Sequence, residues 1–187
     1  MKNLIIVSII ALGFSSVVFQ SCKKKDNPAP TRPPTLYDSL GGTTMVSDPA
    51  NQGQQIEKGR LLIRSIADSA IFVIAADTAI NGHFTTLIGE VESGNLSGYQ
   101  ALSKNLTDFI AVATSAKDYQ YTGMNMVDTH NPATNPRMNG KADNADMDAF
   151  EKDLFIGAAQ AGVPASTPAL ISVGKLVESL RSQVVQQ

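Results

Sequence analysis

Residues 60–77 read RLLIRSIADSAIFVIAAD, and the apolar residues Ile63, Ile66, Ala67, Ala70, Ile71 and Ile74 recur there in steps of three or four. An α-helix of about four turns gathers such residues on one continuous face. A face that wide has to be covered by other elements, and the rest of the chain offers helices to cover it. In LSGYQALSKNLTDFIAVATSA (96–116), Leu102, Leu106, Phe109 and Ile110 form a second stripe, with Lys104, Asn105 and Asp108 mostly turned away. NADMDAFEKDLFIGAAQAGVP (144–164) supplies Asn144 as N-cap and an acidic first turn. Its apolar face runs through Met147, Phe150, Leu154 and Ala158, and Gly162 with Pro164 stops it. STPALISVGKLVESLRSQVVQQ (166–187) starts at Ser166 with Pro168 in its first turn, and turns Val173, Leu176, Val177, Leu180 and Val184 inward. β-Branched alternation is scarce. Segments 43–55, 88–98 and 131–144, rich in Gly, Pro, Asn and Ser, read as loops. These spacings predict an all-α domain of four main helices joined by shorter pieces.

The helical domain does not begin at residue 1. MKNLIIVSIIALGFSSVVFQSC (1–22) has Lys2, an apolar run from Leu4 to Phe19 and a small residue before Cys22, the form of a bacterial lipoprotein signal. The reading is a leader over 1–21, then a lipidated Cys22 with a charged, proline-rich tether over 22–35, then one domain over 36–187 anchored in the cell envelope. One acyl chain binds a membrane only marginally, so durable anchoring through Cys22 requires more than one. No other cysteine exists, so the domain holds together through its core alone. A hydrophobic content of 43% is enough for that.

Several kinds of chemistry are excluded. Losing Lys2 with the leader takes the formal net charge of −2 one unit further negative, and there is no basic patch for nucleic acid. No G-x-S-x-G, P-loop, dinucleotide fingerprint or C-x-x-C-H is present. Two histidines remain, His83 and His130. QYTGMNMVDTHNPATNP (120–136) sets His130 between methionines and a run of helix breakers.

Five pieces in order, LYDSLGG (36–42), LTDFIAVAT (106–114), YTGMNMVDTH (121–130), MDAFEKDL (147–154) and AGVP (161–164), resemble the successive signatures of group I truncated haemoglobins. The resemblance spans nearly the whole domain. It implies a globin-like two-over-two helical sandwich with enlarged loops, one non-covalent haem b, and His130 as the proximal iron ligand. The second ring nitrogen of such a ligand needs an acceptor, and the helix ending at the breakers points to a backbone carbonyl of residue 126 or 127. Carried over motif by motif, the cavity walls are Ile71, Phe84, Leu102, Leu106, Phe109, Ile110, Met126 and Phe150. Each of these residues alone also reads as ordinary core.

The departures from the family matter as much. Ile71 and Leu106 stand where many members carry a tyrosine and a glutamine, so the usual hydrogen-bond donors to bound oxygen are missing. Three insertions follow LGG, Phe84 and His130. Two readings of His83 stay open, a sixth iron ligand that swings in and a solvated corner histidine. What the resemblance implies is a carrier of oxygen or nitric oxide more than an enzyme, and a place outside the cytoplasm, away from nicotinamide-driven reductases, adds the expectation of a ferric resting state or a redox partner protein. Two rival readings are a copper site from Met124, Met126 and His130, and a haem-free globin frame with a structural or signalling task.

Overall fold

The computed structural model describes residues 32–187; the leader, Cys22 and the tether through residue 31 lie outside the described residues. Thr35 caps a one-turn helix, α1 (Leu36–Ser39), through a reciprocal box with Asp38. An antiparallel ribbon follows, β1 (Met45–Ser47) with β2 (Gln55–Glu57), Val46 facing Ile56. The chain continues through α2 (Lys58–Ala76), a 3-10 turn (Asn81–Phe84), α3 (Thr85–Glu92), α4 (Ser97–Ala113), α5 (Met126–Thr129), α6 (Asn144–Gln160), α7 (Pro168–Glu178) and α8 (Arg181–Val184).

Helix α2 is the centre of the domain, because its apolar stripe is nearly sealed. Ile63, Ile66, Ala67, Ala70, Ile71 and Ile74 are all buried, and α2 packs most extensively on α6 and next on α4, while α7 lies on α6. This is the expected all-α, globin-like sandwich. Small residues allow the α2–α6 approach: a Cβ on Gly157 would sit 2.5 Å from the Ala70 nitrogen and 2.6 Å from its Cα. Tyr37, Ile63, Leu154 and Leu170 fill the adjoining core. Among the described residues no helix is long and apolar enough to cross a membrane.

The structure corrects four local expectations. Segment 43–55 is not only loop, because two three-residue strands pair within and beside it; strands so short carry no readable alternation. Segment 88–98 begins inside α3. The N-cap of α6 is Asp143, whose side chain and that of Asp146 bond each other's backbone N–H. The last helix is broken between α7 and α8, where the Ser179 hydroxyl donates to the Leu176 carbonyl and competes with the helical ladder.

A fifth correction concerns α4. Asp108 is not turned out but buried at 4% exposure, where Arg60 and Lys104 meet its carboxylate at 2.5 and 2.6 Å. Ser103 likewise donates to Asp68 of α2. The small and polar edge of α4 packs on α2, so the apolar stripe of α4, Leu102, Leu106, Phe109 and Ile110, is turned elsewhere.

Candidate haem cavity

That stripe faces a cavity of about 370 Å³, within the ~300–1,000 Å³ usual for ligand sites. All eight wall residues named above line it: Ile71 from α2, Phe84 from the 3-10 turn, Leu102, Leu106, Phe109 and Ile110 from α4, Met126 from α5 and Phe150 from α6. Leu102, Leu106 and Phe109 are only half-buried. Apolar side chains on a central helix stay half-buried when they border a hollow rather than a packed neighbour.

His130 stands on the same cavity, and its setting follows from the local sequence. Asn125 caps the single turn of α5 by accepting from Asp128 N–H at 2.9 Å. The turn ends at Thr129, and His130 is its C-cap residue. Asn135 and Thr134, from the breaker-rich stretch, donate to the carbonyls of Thr129 and Asp128 at 2.7 and 2.9 Å, satisfying the end of the helix. His130 Nδ1 donates to the Met126 carbonyl at 2.8 Å, the acceptor anticipated from sequence. With Nδ1 carrying the proton, Nε2 carries the lone pair. Burial pushes the His130 pKa below its ordinary value, the nearby His83 adds to that, and the Met126 bond opposes it. Burial therefore favours a neutral imidazole, the form that binds a metal, and the Met126 bond fixes its tautomer.

His83 lines the cavity but matches neither of its open readings. Its Nδ1 lies 2.7 Å from the Asn139 carbonyl and its Nε2 3.0 Å from Asp146. Both nitrogens thus have protein partners, so the ring is not available as a sixth ligand in this arrangement, and at 15% side-chain exposure it is not a solvated corner residue. Met124 and Met126 also border the cavity beside His130.

Several lining residues escaped the sequence reading, Asn105, Tyr121 and Arg137 among them. Asn105, expected to turn away with Lys104 and Asp108, instead sits on the stripe itself, three positions after Leu102 and four before Phe109. Tyr121 is held by a 2.6 Å bond to the Met124 carbonyl and an edge-on contact with Phe109, with centroids 5.4 Å apart. Arg137 comes from the loop after His130. Neither of the last two belongs to a periodic element, so no spacing announces them.

No family model matches this sequence, and no curated protein does. Among solved structures, the chain is similar to a truncated haemoglobin from Tetrahymena pyriformis, a mutant crystallised in its Fe(III) form. The TM-score is 0.56 at 18% identity, over 82% of this chain and 100% of that one. The domain thus has the truncated-globin fold, with α2, α4, α6 and α7 as its principal helices.

Proposed function

We propose that the cavity binds one haem b non-covalently, that His130 would hold its iron through Nε2, and that a small diatomic ligand, oxygen or nitric oxide, would bind to that iron. The observation that carries this reading is His130 itself: a neutral imidazole on an apolar cavity, its tautomer set by the Met126 carbonyl. The donor set suits the group. Among the described residues no three His, Cys, Asp or Glu side chains gather as a metal site, so a lone imidazole is matched to an iron that arrives with its own ring of nitrogens. The walls suit it as well, because Leu102, Leu106 and Phe109 present apolar surface that a flat hydrophobic ring covers.

When bound, haem iron supplies the coordination position for the diatomic ligand. The residues of the chain do the rest. Met126 orients His130; Ile71 and Leu106 exclude water and donate no hydrogen bond; Asn105 is the side-chain amide on the α4 wall. The five motifs support assignment to group I of the truncated haemoglobins, and the leader supports a lipoprotein held in the cell envelope through Cys22, served there by a redox partner protein.

Titrating hemin into the purified protein tests this directly. A Soret band that saturates at one equivalent is expected. A folded protein without a saturable band contradicts the reading, and Cu(I) titration then tests the rival site, because Met124, Met126 and His130 share the cavity.

A further inference from the structure

Two of the three segments that lengthen this chain relative to the truncated-globin pattern meet at the rim of the cavity. Arg137, from the loop over 131–143, forms a two-pronged ion pair with Glu90 of α3 at 2.8 and 2.5 Å. The pair lies on Gly98 in the first turn of α4, where a Cβ would strike both the Glu90 carboxylate and the Arg137 guanidinium. Two residues on, Asn139 is joined to the 3-10 turn three times. Its side chain donates to the Gly82 carbonyl at 2.9 Å, its N–H donates to the His83 carbonyl at 3.3 Å, and its own carbonyl faces His83 Nδ1 at 2.7 Å. His83 Nε2 then reaches Asp146 in the first turn of α6.

Gly98, His83, Arg137 and Asp146 all line the cavity, so these contacts run along its edge. No residue of 131–141 belongs to the hydrophobic core. Up to residue 141 the loop is therefore held mainly by polar contacts, which can break locally while the packed helices stay intact, and the buried Ala142 anchors its end.

We propose that loop 131–143 is a strap across the cavity mouth, latched by Arg137 on Glu90 and by His83 on Asn139, and that the latch sets how fast the ligand of the cavity enters and leaves. The identity of that ligand rests on the haem reading; the gating does not. A latch that acts by opening and closing changes entry and exit together and leaves the equilibrium affinity nearly unchanged, whereas a residue that acts by holding the ligand mainly changes exit.

The test follows hemin uptake by stopped flow, and hemin loss to an excess of a haem-scavenging apoprotein. It compares the wild-type chain with Glu90→Gln, with Gly98→Ala and with the charge swap Glu90→Arg plus Arg137→Glu. Losing one exposed but two-pronged pair should speed both rates about two- to fivefold, with the Soret position unmoved and the swap returning both rates toward wild type. Gly98→Ala is the sharper variant, because alanine favours the α4 helix while its methyl group wedges the latch: thermal stability holds or rises as retention falls. Rates unchanged in both single variants, or faster exit with unchanged entry, would overturn the strap. If hemin does not bind the wild-type protein, the haem proposal falls on its own. The same rates, read with the fluorescent apolar probe 1-anilinonaphthalene-8-sulfonate, then decide the strap by the same two outcomes.

Discussion

At residue scale, the chemistry of the cavity is set by what two side chains lack. Ile71 and Leu106 border the cavity and donate no hydrogen bond. Bound dioxygen carries partial negative charge, and each missing bond to such a group forgoes on the order of 1.5–3 kcal/mol. Under the haem proposal, Leu106→Gln should therefore slow dioxygen release at least about tenfold relative to wild type, as read by stopped-flow absorbance. An unchanged release rate would show that the wild-type protein already supplies a donor, and the Asn105 amide would be the first residue to replace. The sequence announces Leu106 through its stripe. It does not announce Asn105 as readily, because an amide among apolar neighbours reads as the polar side of a helix until the hollow beside it is known.

At element scale, the α2–α6 contact carries the fold, and its closeness depends on Gly157. A methyl group there meets backbone atoms of Ala70, which cannot swing aside as a side chain would. Gly157→Ala should cost about 1–3 kcal/mol by overpacking, against the small gain alanine normally brings to a helix. Chemical denaturation checks the sign. The joint between α6 and α7 is sensitive to pH. Burial first, and then the neighbouring Glu178, push the Glu151 carboxyl up to about 7. The folded state thus holds a proton that the unfolded chain releases at a lower pH, so this stability is present in acid and lost as pH rises through about 7. Glu151→Gln should flatten the decline in melting temperature between about pH 5 and pH 8; an unchanged slope would place the proton elsewhere. The pairing of Glu151 with Glu178 was not legible in sequence, because the two residues lie on different helices and only the packing angle brings them together. The main helices were legible for the opposite reason, since their stripes are local patterns repeated every three or four residues. The short β ribbon, α3 and the break at Ser179 were not, because each depends on one or two contacts rather than on a repeat.

At the scale of the whole molecule, the fold is that of a truncated globin, and the proposal adds a lipid anchor to it. Cys22→Ser should move the protein from the membrane fraction to the soluble fraction of fractionated cells; retention in the membrane would contradict anchoring through this cysteine. Under the haem proposal, His130 holds the iron. The measurement that tests it most directly is the ferrous absorption spectrum of hemin-reconstituted protein, wild type beside His130→Gly, with and without added imidazole. A Soret band is expected that shifts when His130 is removed and returns to the wild-type position when imidazole fills the space it left. A spectrum indifferent to both the substitution and the imidazole would mean that His130 does not hold the iron.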